Sequence, residues 1–245
     1  IDNSYYPRTH LKSYGYGYQI WKTYDGGFAF LGMGCQCAVI SPEKDLIAIF
    51  NADTQGMPDY TPIEMFIDDV VDYIDEPFEA NEEKQKALEK RLATLNFQIP
   101  DGKFTSSLKD EINGKEYTLF NNQMQIESVK FEFDGDGGVM YYKTLRGDRK
   151  IPFSIGEYQK ITFPEKHYYD YQINLPANRE LNALSTLVFT GERSLLLRVF
   201  ITDNSKGNMT ARFDFDGDKI SVKMNKNAEW FLDEYQGDAF GKLKK

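Results

Sequence analysis

The 245-residue chain is poor in cysteine, histidine and tryptophan, with two of each. Two cysteines exclude a disulfide-stapled scaffold, and two histidines far apart, His10 and His167, leave a four-ligand zinc site half filled. No metal and no other cofactor is therefore expected. No run approaches the roughly 18 to 20 consecutive apolar residues of a membrane-spanning helix, so no span is expected. Cations are outnumbered, with 29 Lys and Arg against 38 Asp and Glu and a formal net charge of −9. Binding to a phosphate backbone needs clustered basic residues, which makes nucleic acid an unexpected partner. The first residue is Ile1, and no charged-then-apolar signal segment precedes the first strand-like run, so no compartment is assigned.

Aromatic residues, by contrast, make up 15% of the chain, within a 41% hydrophobic total that suffices for one or two packed cores. Residues 16–23 read as a strand, turned by Asp25-Gly26-Gly27 into a second at 28–33. Asp-Gly and Gly-Gly pairs between aromatic runs are hairpin signals. Residues 35–40 and 46–52 continue the meander, with Pro42-Glu-Lys-Asp45 turning between them. Thr61 then reads as a helix cap, with Pro62 at the first helical position and Glu64 three residues after the cap. Ile63, Phe66, Ile67, Val70, Val71 and Ile74 recur at helical spacing, which predicts an apolar face lying on the sheet.

From 76 to 110 the composition turns charged and polar. Residues 81–95 carry a helical pattern and 97–109 carry none, so this stretch is the candidate linker. Beyond it, aromatic and β-branched runs come at short intervals: 117–120, 126–133, 139–145, 151–155, 159–163, 168–173, 183–189, 195–202, 209–215 and 219–224. Alternation is plain in Val129-Lys-Phe-Glu-Phe133 and Ala211-Arg-Phe-Asp-Phe215, and glycine-containing turns such as Asp134-Gly-Asp-Gly-Gly138 separate the runs. Many short alternating strands predict a curled sheet or barrel. A final amphipathic stretch, 230–240, is expected to cover one end.

Cys35 and Cys37 stand two apart on an expected strand, facing one side, where they read as small apolar residues. Asp134, Asp136, Asp214, Asp216 and Asp218 have the spacing of calcium ligands, yet no terminal glutamate completes an EF-hand, and hairpin turns account for them. Asn208-Met-Thr210 is a glycosylation sequon by pattern alone. Tyr5, Tyr6, Tyr14, Tyr16, Tyr18 and Tyr24, and again Tyr168, Tyr169 and Tyr171, offer stacking surfaces for a flat ligand or packing surfaces for a core. Core packing is the favoured reading.

The stretch Tyr14-Gly-Tyr-Gly-Tyr-Gln-Ile-Trp21, followed by Gly32-Met-Gly-Cys-Gln36 and Pro42-Glu-Lys-Asp-Leu-Ile47, resembles the C-terminal sheet strands of penicillin-binding-protein-like serine hydrolases, the family of class C β-lactamases. The resemblance covers about the first 75 residues. It implies that Gly32, Met33, Gly34, Cys35 and Gln36 border a substrate site. It also implies a parent enzyme that hydrolyses amide or ester bonds through an acyl-serine. The family's cationic position falls near residues 26–28, where neither Lys nor His stands. Its nucleophile motif, Ser-X-X-Lys, occurs here only as Ser106-Ser-Leu-Lys109, after these strands and on no apolar helical face, so Ser106 reads as a solvated linker residue and no catalytic residue is assigned.

The expected fold is therefore α+β. Residues 1–75 form an antiparallel sheet with a packed helix, the tail of a β-lactamase-like fold. Residues 76–110 form a helical and irregular linker, and 111–245 a mostly antiparallel lipocalin-like β-barrel. The implied partners are the N-terminal part of the parent hydrolase and a second copy of the chain, paired through exposed strands near 28–52. A different class of function remains open: a non-catalytic barrel that binds a small ligand or a protein partner.

Overall fold

The computed structural model describes residues 15–23, 26–32, 34–54, 61–74, 76, 79–166, 180–203, 206–228 and 231–245. The chain divides into two units, Ile1–Leu95 and Asn96–Lys245. Tyr5, Tyr6, His10, Tyr14, Tyr24, Met33, His167, the expected strand at 168–173 and Trp230 lie outside the described residues.

The first unit carries strands β1 (Gly15–Gly17), β2 (Ile20–Lys22), β3 (Phe28–Leu31), β4 (Cys37–Ser41) and β5 (Leu46–Phe50) in sequential order. The single strand expected at 16–23 is in fact a hairpin. Tyr18 and Gln19 both adopt positive φ, 52° and 64°, which turns the chain in two residues. That conformation normally selects Asn or Gly, so the sequence carries no sign of this turn. Helix α1 (Thr61–Asp69) sets Ile63 and Ile67 against Ala29, Cys35, Cys37 and Val39. A 3-10 turn at Val71–Tyr73 follows, which buries Val71 in the same core and leaves Val70 exposed.

Helix α2 (Glu82–Ala93) is held by local terms alone. Asn81 caps it through the Lys84 N–H at 2.9 Å, acids occupy the first turn and bases the last, and no residue is buried.

The second unit begins with α3 (Leu108–Ile112) and continues as β6 (Glu116–Leu119), β7 (Ile126–Asp134), β8 (Gly137–Thr144), β9 (Gly147–Ile155), β10 (Gln159–Phe163), β11 (Leu181–Gly191), β12 (Ser194–Thr202), β13 (Lys206–Asp216), β14 (Lys219–Asn227) and β15 (Gly237–Leu243). Each strand pairs antiparallel with the next from β6 to β9 and from β10 to β15, and β15 returns to β6. The ring closes at β11, one edge of which is shared. Residues 181–185 of β11 pair with β10, and Thr186 and Leu187 pair parallel with Ser154 and Ile155 of β9. The second unit is thus an antiparallel β-barrel with few helices. The stretch expected as a cover at 230–240 is a 3-10 turn, Asp233–Tyr235, followed by barrel strand β15, whose Phe240 points outward.

Alternate residues of every barrel strand form one core, among them Val129, Phe131, Met140, Ile151, Phe153, Leu197, Val199, Phe213 and Val222. Leu108 and Ile112 of α3 belong to it as well. The hairpins β7–β8 and β13–β14 turn through Gly135 and Gly217 at φ 53° and 60°, so Asp134, Asp136, Asp216 and Asp218 occupy turns. No helix among the described residues is long and apolar enough to cross a membrane.

Candidate functional site

The two ends of the barrel differ in chemistry. At the α3 end the inward residues are aromatic: Phe131 meets Phe213 edge-to-face at 5.0 Å and Phe153 at 6.4 Å, and Tyr117 meets Phe215 at 5.4 Å. These rings fill that end. Ser106 lies beside it, where its Oγ accepts from the Leu108 N–H at 3.2 Å, while Lys109 Nζ donates to the Gly135 carbonyl at 2.5 Å. Each member of the Ser-X-X-Lys match is thus engaged locally.

The opposite end holds a polar cluster inside an apolar frame. Tyr142 of β8 faces Arg149 of β9 in direct register, so both extend the inward set Ile151, Phe153 and Ile155. Glu165 follows Phe163 at inward phase beyond β10 and is 2% exposed. The Arg149 guanidinium donates to it through Nε and Nη2, at 2.9 and 3.3 Å, and its Nη1 donates to the Asp148 carbonyl. Tyr235, brought in by the 3-10 turn, meets Tyr142 hydroxyl to hydroxyl at 2.6 Å and reaches Glu165 at 3.5 Å. Burial pushes the Tyr142 phenol well above its ordinary range, with the nearby Glu165 carboxylate adding to the rise, so it stays a neutral hydrogen-bonding group. The Glu165 carboxylate raises the Arg149 pKa further, fixing the cation.

This cluster stands beside a breach in the barrel wall. Strands β9 and β10 separate after Gly156, because β10 pairs with β11 and not with β9. A cavity of about 430 Å³ opens there, with Pro152, Ile161, Phe163 and Pro164 as its apolar lining and Arg149, Lys150, Lys160 and Lys166 against one carboxylate, Asp148. A smaller hollow of about 250 Å³ lies on the other side of Glu165, between Met124, Ile126, Thr144 and Tyr235. Arg149 is paired with Glu165 and Lys166 with Glu180, which leaves Lys150 and Lys160 as the cations of the breach against Asp148. None of these residues was singled out from the sequence. The available signal was phase: Arg149 and Glu165 fall in step with the apolar faces of the strands at 151–155 and 159–163.

The residues assigned from the sequence lie in the first unit. Gly32, Gly34, Cys35 and Gln36 form the turn between β3 and β4, and Met33 is outside the described residues. The Gln36 side chain lies back over the turn and accepts the Gly34 N–H at 3.0 Å, while the Gly32 N–H donates to the Gln36 carbonyl at 2.8 Å. Cys35 adopts φ 64° and Cys37 lies in β4, both buried and unbridged. Burial raises the Cys37 thiol to about 11. Among the described residues no group of acids, cysteines and histidines is placed to hold a metal ion.

No family model and no curated protein matches this chain. Among solved structures, it is similar to a Schistosoma mansoni fatty acid binding protein in complex with arachidonic acid, at 16% identity over 57% of this chain and 98% of that one, with a TM-score of 0.36. A fatty-acid-binding protein from Manduca sexta matches at 13% identity over 55% and 99%, with a TM-score of 0.33. Apo lipid binding protein 8 of Caenorhabditis elegans matches at 12% identity over 58% and 99%, with a TM-score of 0.37. No family model or curated protein supports the resemblance of residues 1–75 to a β-lactamase-like tail, which is withdrawn together with the acyl-serine parent, its missing N-terminal partner and the hydrolase reading of the whole chain.

Proposed function

We propose that the barrel is a non-catalytic binding module for a small amphipathic anion, taken up at the breach between β9 and β10. The observation that carries this reading is the cavity of about 430 Å³, in which Lys150 and Lys160 join an apolar lining while Arg149 and Lys166 are paired with Glu165 and Glu180. Apolar walls supply affinity and a few fixed polar groups supply orientation. Arg149 is held by Glu165, so it stiffens the site, while Lys150 and Lys160 stand at the rim to meet the anionic head. The aromatic end is already filled, which confines the ligand to the breach and the Tyr235 end.

The test is a titration of the full chain with anilinonaphthalene sulfonate, followed by displacement with decanoate and with decanol. Decanoate should displace the dye at lower concentration, and Lys150→Gln/Lys160→Gln should erase that preference while leaving decanol unchanged. Absence of dye binding, or equal displacement by the two competitors, would reject the reading.

The domain division enters the same proposal, with 1–75 and 111–245 as separate functional parts and 76–110 as the connection between them. The Gly32–Gln36 turn is assigned a structural part, since Gln36 binds it from within. The sheet of the first unit is assigned to self-association. Phe28, Ile40 and Ile47 lie in one cross-strand row and Phe30, Ala38 and Ile49 in the next. Ile47 and Ile49 are each 69% exposed. A uniform monomer in sedimentation velocity at high concentration would dismiss that assignment.

A further inference from the structure

The first unit contains a cavity of its own, between the inner face of its sheet and α1. Its volume is about 210 Å³. The hollow is partly open to solvent on the side of Glu43, Lys44 and Asp72. The sequence makes it by placing small side chains under the helix: Val39 and Ser41 on β4 and Ala48 on β5 line it, with Ile63, Ile67 and Val71 opposite. Phe50 and Phe66 wall one side, edge to face at 5.5 Å.

Two hydroxyl residues, Thr23 and Ser41, lie in this lining and are each 4% exposed. A hydroxyl donates once and accepts twice, so each can serve a ligand in addition to its partner in the chain. Glu43, Lys44 and Asp72 stand at the rim, and Lys44 Nζ donates to the Ile74 carbonyl at 2.8 Å. The cation thereby joins the residue after the 3-10 turn to the β4–β5 turn.

We propose that this cavity is a second binding site, for a neutral molecule the size of one substituted aromatic ring that carries a single hydroxyl. An apolar cavity of about 150 Å³ accepts benzene, so one of this volume accommodates a ring with one or two substituents. With two carboxylates against one lysine, the rim carries no excess of positive charge to draw an anion, which separates the preference of this site from that of the breach in the barrel. The proposal does not depend on ligand binding by the barrel.

The experiment uses the full chain with labelled methyl groups, titrated with 4-methylbenzyl alcohol, p-xylene and 4-methylbenzoate. The alcohol should shift the methyl resonances of Val39, Ile63, Ile67 and Val71 and leave those of Ile151 and Val199 in the barrel core unmoved. It should bind more than about tenfold more tightly than p-xylene, and 4-methylbenzoate should bind more weakly than either. Ala48→Leu fills the cavity and should abolish the shifts, with unchanged Ile151 and Val199 resonances showing that the barrel remains folded. Ser41→Val keeps the shape, so it should retain p-xylene binding and lose the preference for the alcohol. No shift at these four residues in the unsubstituted chain, or an alcohol preference that survives Ser41→Val, would overturn the proposal.

Discussion

Tyr142 and Tyr235, 93 residues apart, share a buried hydrogen bond of 2.6 Å between their hydroxyls. The bond ties the wall of the barrel to the turn that lies across its end. Because Tyr235 also touches Phe163 ring to ring and reaches Glu165, this one side chain couples the end of the barrel to the edge of the breach.

Replacing Tyr235 by Phe removes one partner and leaves the other hydroxyl in an apolar frame. The expected cost is about 1–3 kcal/mol of barrel stability. Tyr142→Phe combined with Tyr235→Phe should cost less than the two single changes added together, because no hydroxyl is then stranded. Urea unfolding of the four proteins measures this, and strictly additive costs would refute the coupling.

Glu165→Gln leaves the Arg149 cation without its carboxylate at a site where Glu165 is 2% exposed. Breaking such a pair from one side costs about 3–5 kcal/mol. Arg149→Met with Glu165→Leu should recover most of that loss, since apolar replacements of similar volume leave no buried charge unpaired. A single change costing under about 1 kcal/mol would mean that the pair behaves as a surface ion pair.

Gly156 turns the chain from β9 to β10 at φ 75°, and a Cβ there would lie 2.7 Å from the Phe104 ring. Gly156→Ala therefore meets both a strained backbone and a clash, with an expected loss of about 1–3 kcal/mol. Thermal unfolding checks it, and Phe104→Ala in the same background should relieve the clash while leaving the backbone strain. Full tolerance of Gly156→Ala would show that neither the positive φ nor the Phe104 contact constrains this turn.

The Cys37 thiol, raised by burial from 9.0 to about 11, binds its proton more tightly in the folded chain than in the unfolded one. The unfolded chain thus ionises first, so the stability of the first unit should be constant below pH 9 and fall as the pH climbs from 9 toward 11. The same burial should leave Cys37 unreactive toward iodoacetamide at pH 8 until the chain is unfolded. Cys37→Ala should flatten the alkaline slope, and an unchanged slope would assign it to other groups.

Most barrel strands were legible in the sequence, because a side-chain period of two shows directly which residues face inward, as Val129, Phe131 and Phe133 do. Helix α2 was legible too, through the helical pattern of residues 81–95. The Tyr18-Gln19 turn was not, since neither residue type advertises a left-handed backbone. Motif matching in the first 75 residues went further astray, because short glycine-containing stretches recur in tight turns of many folds.

What the sequence determined by itself was therefore local: the alternation of the barrel strands and the hairpin turns between them. Tertiary structure alone decided which edges meet, bringing β15 back to β6 and letting β9 and β10 share one edge of β11. The candidate site follows from that closure. Tyr142, Arg149, Glu165 and Tyr235 lie on separate segments, and only the curvature of a closed sheet brings their polar ends together, because pairings between distant strands leave no periodic trace within either one.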